Sequence, residues 1–142
     1  MPTFAAGNNA KVTLGATTIL GMGNWKMNSV TVDLLETTSF GDVAKTFMTG
    51  LLDWGTATFG GLYDMSNTGG QSTLLSAMIN NSKIATLRFY LNSVSFWVAN
   101  ISHASLGSDA GEYVTGVNIG QDKSGLGTID FTVKFTGPVV FQ

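Results

Sequence analysis

The sequence predicts a mainly β fold: two packed antiparallel sheets, a sandwich or partly open barrel, with one short α-helix and a long inter-strand loop. Three observations carry this. Apolar and polar residues alternate with period two through much of the chain, as in strands with one buried face. Only one segment has an apolar stripe at helical spacing. Clusters of Gly, Ser and Asn punctuate the pattern at short intervals, as turns do. Residues 1–142 read as a single domain of seven or eight strands, without an internal repeat or linker.

In chain order, the first strand is expected at about 11–20. A short second strand places Trp25 and Met27 between Asn24, Lys26 and Asn28. Val, Thr and aromatic content predicts strands at about 30–38 and 54–63. Between these two, Ser39–Leu52 does not alternate. It is a long, apolar connection carrying Phe40, Val43, Phe47, Met48, Leu51 and Leu52. Connections of that length in a compact domain are usually functional. An apolar one either folds onto its own core or docks on a neighbour.

The helix is expected at about 71–80. There Leu74, Leu75, Met78 and Ile79 make one stripe, and Asn80-Asn81 is its stop. Strands follow at about 83–91, 94–101 and 112–119. The clearest strand is Thr128–Thr136. Ile129, Phe131, Val133 and Phe135 share one face, and Thr128, Asp130, Thr132, Lys134 and Thr136 share the other. Turns fall at Gly21–Gly23, Ser66–Gly70, Asn80–Ser82, Gly107–Gly111 and Gln121–Gly127.

Composition narrows the function classes. Charged residues are 11% of the chain, against about 25% in a typical soluble domain. Gly, Thr and Ser supply about a third of all residues. So few charges suit a chain that hides much of its surface in an assembly. The other reading is a small sandwich with a Thr/Ser-rich surface. Seven basic and nine acidic side chains give a net charge of −2, which argues against tight binding to a phosphate backbone. There is no cysteine, hence no disulfide and no thiolate metal site. The first residues carry no basic segment followed by a long apolar run, so no signal peptide is expected. No apolar run approaches the ~20 residues that span a bilayer. The Asn80-Asn81-Ser82 and Asn100-Ile101-Ser102 triplets fit a glycosylation pattern only by chance if the chain is not secreted.

Chemistry is sparse. His103 is the single histidine. A triad with Ser102 or Ser105 and Asp109 can be drawn, but no serine sits in a nucleophile elbow. Asp42, Asp53 and Asp64 are evenly spaced, yet not as in a calcium loop. A pair of carboxylates for glycoside hydrolysis stays open in three dimensions, but the scattered acids read better as turn-forming and surface residues. The fragments Gly21-Met22-Gly23 and Gly125-Leu126-Gly127 do not join a strand to a helix, so they read as turns rather than phosphate loops. Trp25, Trp54 and Trp97 lie in or beside strands and read as core or interface anchors rather than a stacking platform. The chain is therefore read as no enzyme, with no cofactor and no stabilising zinc or calcium.

One ordered set of motifs says more. It starts at Val32-Asp33-Leu34-Leu35-Glu36-Thr37-Thr38-Ser39-Phe40-Gly41-Asp42 and continues through Gly50-Leu51-Leu52-Asp53-Trp54. Phe59-Gly60-Gly61-Leu62-Tyr63-Asp64 follows, then Gln71 with Leu74-Leu75. Over residues 30–80 this resembles the major tail tube protein of long-tailed, siphovirus-type bacteriophages. The resemblance implies a structural virion protein. Six subunits form a ring, each adds strands to a barrel around a lumen, and rings stack into a tube that conducts DNA into the host. It implies that Ser39–Leu52 reaches the adjacent ring, with Phe40, Asp42, Val43, Phe47, Met48, Leu51 and Leu52 in contact. Partners would be further copies of the chain, the tape measure, tail terminator and distal tail proteins, and double-stranded DNA in transit. Location would be the virion tail, assembled in the bacterial cytoplasm. On this basis the lumen is expected from strands near 30–38, 54–63, 83–91 and 94–101, with Asp33 the first acidic lumen residue. Two alternatives stay open: a carbohydrate- or protein-binding β-sandwich, and the inner tube of a contractile injection system.

Overall fold

A computed structural model describes residues 1–142 except 1, 5, 6, 20, 67–69 and 100–109. The predicted class holds: antiparallel sheets, one α-helix and no closed barrel among the described residues. A short 3-10 turn at Gly7–Asn9 leads into β1 (Lys11–Leu14) and β2 (Thr17–Thr18). There follow β3 (Met22–Asn28), β4 (Thr31–Glu36), β5 (Phe47–Asp53) and β6 (Thr56–Leu62). Helix α1 (Gln71–Ile79) precedes β7 (Leu87–Tyr90), β8 (Phe96–Ala99), β9 (Gly111–Gly120), β10 (Thr128–Thr136) and β11 (Val139–Phe141).

The first sheet runs β11-β8-β7-β1-β2, and the second runs β3-β6-β10-β9. Strands β4 and β5 form a third, two-stranded sheet by themselves. The core lies where the first two sheets face each other. Phe59 of β6, Phe131 of β10 and Phe89 of β7 are fully buried there. Their rings meet at 5.3 Å (Phe59–Phe131) and 5.6 Å (Phe59–Phe89). Trp25 packs on Phe89, and its indole N–H donates to the Tyr90 carbonyl at 2.9 Å, joining β3 to β7 across the layers. Trp54 and Trp97 contact each other, and Trp97 also meets Phe141. All three tryptophans are thus packed anchors, not an open platform.

The helix begins where predicted, but its buried face is different. Gln71, Leu74 and Ala77 point inward while Ile79 is exposed. Gln71 explains this. Its side-chain N–H donates to the Leu62 carbonyl at 3.0 Å, and its amide oxygen accepts from the Asp64 N–H at 2.9 Å. A buried amide so satisfied pins the first turn to the end of β6.

Four expectations need correction. The strand at 11–20 is a tight hairpin, turned at Gly15 with φ 65°. The strand at 83–91 is only Leu87–Tyr90, with Ile84 bridging Glu112 beyond it. Strand β11 was not anticipated. Most importantly, 39–52 is not one loop: Phe47–Asp53 is a strand, and the true connection is 37–46.

Candidate functional site

Strands β4 and β5 build a hairpin that stands off the body. Thr31 pairs with Asp53, Val32 with Leu52, Leu34 with Thr49, Leu35 with Met48 and Glu36 with Phe47. A bulge at Gly50–Leu51 lies opposite Asp33. Paired residues share a face. One face therefore carries Val32, Leu34, Phe47 and Leu52, and the other carries Leu35 and Met48 with Asp33. Every residue of both strands is exposed. A two-stranded ribbon with apolar residues on both faces is marginal by itself in water.

The connection is ordered by its own hydrogen bonds. The Thr37 N–H donates to the Thr46 carbonyl at 2.8 Å, and the two hydroxyls lie 2.9 Å apart. The Thr46 N–H donates to the Thr38 hydroxyl at 3.0 Å. The Ser39 N–H donates to the Asp42 carboxylate at 2.6 Å and the Asp42 N–H donates back to the Ser39 carbonyl at 3.1 Å, closing the tip. Asp42 is thus engaged within the loop. Phe40 and Val43 beside it are fully exposed.

At the root, Lys134 of β10 donates to Asp53 at 2.6 Å, and the Gly55 N–H donates to the same carboxylate oxygen at 2.8 Å. These two bonds, the lysine first, hold the Asp53 carboxyl below its ordinary value. Gly55 sits at φ 71°, and a Cβ there would overlap the Asn28 and Ser29 carbonyl oxygens. Only glycine lets the chain turn from the hairpin back into β6.

The second sheet has an outer face, turned from the core, that is small and polar. Register places Asn24 beside Gly60 and Asp130, Lys26 beside Thr58 and Thr132, and Asn28 beside Thr56 and Lys134. On β9, Gly116, Asn118 and Gly120 oppose Thr132, Asp130 and Thr128. Its charges are Lys26, Asp130 and the Lys134 already paired with Asp53. Gly60 is favoured here, since a Cβ would crowd the Ile129 carbonyl oxygen at 2.9 Å as well as the Asp130 carboxylate that lies over it.

The structure brings all eight sequence-predicted site residues onto the hairpin: Asp33, Phe40, Asp42, Val43, Phe47, Met48, Leu51 and Leu52. It adds Val32, Leu34 and Leu35. The four strands expected to share the lumen wall do not share a sheet: β4 is in the hairpin, β6 in the second sheet, β7 and β8 in the first. The polar face was written in the sequence as the Thr half of the β10 alternation. Ser102, His103, Ser105 and Asp109 lie outside the described residues. Among the described residues no three His, Cys, Asp or Glu side chains cluster as metal ligands would. Likewise no helix of the described residues is long and apolar enough to cross a membrane.

No family model matches the sequence, and no curated protein matches it. Solved structures do. A chain from the virion of a native gene transfer agent particle aligns with TM-score 0.71 at 10% identity, over 96% of this chain and 98% of that one. A chain from the tail of an empty gene transfer agent particle, with C6 symmetry, aligns with TM-score 0.69 at 10% identity, with the same coverage. A chain from the extended sheath–tube complex of an extracellular contractile injection system, PVC, gives TM-score 0.65 at 14% identity, over 100% of this chain and 90% of that one. Sandwich, helix and hairpin together are thus one fold, shared nearly end to end with chains of tailed particles and an injection machine.

Proposed function

We propose that this protein is a structural tail tube subunit that assembles into stacked six-membered rings around a channel. The observation that carries this is the hairpin: a well-packed sandwich projects a ribbon with apolar side chains on both faces. Such a ribbon is stabilised only by burial against other copies. The likeness to a chain of a C6-symmetric tail supports a ring of six.

In this assignment the polar face of the second sheet lines the channel. The edge strands β3 and β9 meet their counterparts on neighbours, which removes open sheet edges. Thr, Asn and Gly with few charges make a wall that does not hold a phosphate backbone, because tight DNA binding needs clustered Lys and Arg. Double-stranded DNA is the cargo we assign. Asp33 reaches the channel only where the hairpin bridges two rings. Partners at the tube ends would be other tail proteins, with the virion tail as location. The likeness to a chain of a contractile sheath–tube complex favours a second version, in which the same tube runs inside a sheath.

The test is negative-stain electron microscopy with mass photometry over a concentration series. Hollow tubes or six-membered rings are the expected result. A strict monomer throughout the series overturns the proposal.

A further inference from the structure

The first sheet forms the other side of the sandwich. Val12, Leu87 and Phe89 are buried in the core, so the residues that alternate with them, Lys11, Arg88 and Tyr90, share the outer face. Register sets Tyr90 between Lys11 of β1 and Phe96 of β8. The four side chains form a row. The Lys11 ammonium lies 4.6 Å from the Tyr90 ring centre, the Tyr90 and Phe96 rings are 4.8 Å apart, and the Arg88 guanidinium lies 4.7 Å from the Phe96 ring centre. The five strands of this sheet carry no Asp or Glu. Arg88, the chain's only arginine, lines a cleft of about 130 Å³ together with Thr86, Phe96, Val98 and Gln142. Its Nε–H is buried and has no hydrogen-bond acceptor among the described residues. No described carboxylate pairs with its guanidinium.

We propose that this cleft binds the carboxylate of an Asp or Glu side chain presented by a partner protein. Charge complementarity chooses the occupant: among its described lining residues Arg88 is the one charged group, and the other polar ones are Thr86 and Gln142. A guanidinium meets a carboxylate with two parallel N–H bonds. One of them, from the Nε–H, satisfies a donor that folding leaves without an acceptor. The Phe96 contact restrains the Arg88 side chain before binding, so less rotamer freedom remains to be lost. Val98, buried on the same face, gives the methylenes of the acidic side chain an apolar floor. A nucleic-acid backbone fits worse, because its repeated phosphates need a tract of cations and this row has two, with two rings between them. The cleft also lies on the opposite side of the sandwich from the polar face assigned to the channel, so its occupant is not the cargo. That separation rests on the tube reading above, whereas the chemistry of the cleft does not.

A single arginine gives a single Nε–H signal in the magnetic resonance spectrum of nitrogen-labelled protein, read in solution or, for tubes, by magic-angle spinning. A hexaglutamate peptide is titrated in at constant ionic strength, with sodium acetate and sodium phosphate in parallel. The expected result is a saturable shift of the Arg88 signal with the peptide, and with acetate or phosphate only at far higher concentration. Arg88→Gln should weaken peptide binding by roughly tenfold or more. Arg88→Lys, which keeps the charge but loses the fork, should fall between Arg88→Gln and wild type. Lys123→Gln, in the turn after β9, should bind as wild type does. Wild-type affinity in both Arg88 variants, or an Arg88 signal that does not move, overturns the site. Acetate or phosphate binding as tightly as the peptide overturns a protein carboxylate as its occupant. Loss of tubes in an Arg88→Gln chain that melts as wild type overturns the separate partner, since the carboxylate then comes from another copy. Sedimentation of the same samples scores the tube independently: wild-type protein that binds the peptide and never assembles overturns the tube reading alone.

Discussion

Glu112 is the residue most out of place. It is fully buried at the start of β9, and among the described residues neither carboxyl oxygen has a hydrogen-bond partner. Burial pushes its carboxyl from 4.5 up to about 8. Between those values the folded chain holds a proton that the unfolded chain has released. Stability is therefore full below about pH 4.5 and falls by about 1.4 kcal/mol per pH unit as pH rises toward 8. Glu112→Gln removes this titration. Urea unfolding at pH 5, 6, 7 and 8 should show a shallower pH slope for the variant. Parallel slopes would mean that Glu112 is ionised in the folded state. Another core residue, on β10, gives the uncharged comparison. Phe131 stacks on Phe59 with no exposed surface, so Phe131→Ala should cost about 3–5 kcal/mol. Unchanged denaturant midpoints would remove Phe131 from the core.

At the scale of elements, stability and assembly separate. Phe47 and Met48 lie on opposite faces of the hairpin and are both about half exposed, 54% and 56%. Phe47→Asp or Met48→Asp should leave monomer melting nearly unchanged, since exposed substitutions usually stay within about 0.5 kcal/mol. The same variants should abolish tubes in sedimentation. Normal tubes would show that the hairpin is not buried in the assembly. The hairpin also marks the limit of what the sequence discloses. Strand β10 was legible to the residue because one face is buried and the other wet, which imposes period two. Strand β5 reads Phe-Met-Thr-Gly-Leu-Leu-Asp with no such period, since neither face is buried by its own chain. The exposed apolar side chains of the hairpin were nevertheless legible, because Phe40, Val43, Phe47 and Met48 are apolar where a connection should be polar. The Arg88 cleft was not, as its walls come from residues as far apart in sequence as Thr86 and Gln142.

For the molecule as a whole, the decisive quantity is how little charge it carries. Its large exposed apolar side chains concentrate at the hairpin, while the charges on the polar sheet face are few. Association driven by apolar burial responds to salt differently from association driven by ion pairs. Exposed ion pairs weaken as the Debye length shrinks from about 10 Å at 0.1 M salt to about 3 Å at 1 M. Apolar contacts do not weaken, and sulfate strengthens them by exclusion from the surface. The one ion pair at the hairpin root, Lys134–Asp53, is within a chain and exposed, so screening it changes little. The critical concentration for tube formation should therefore stay level, within roughly twofold, from about 0.05 to 0.5 M sodium chloride, and should fall in ammonium sulfate. Pelleting assays across both salts measure it. A steep rise in critical concentration with sodium chloride would show that charges hold the rings together, and the apolar hairpin would lose its place as the stacking element.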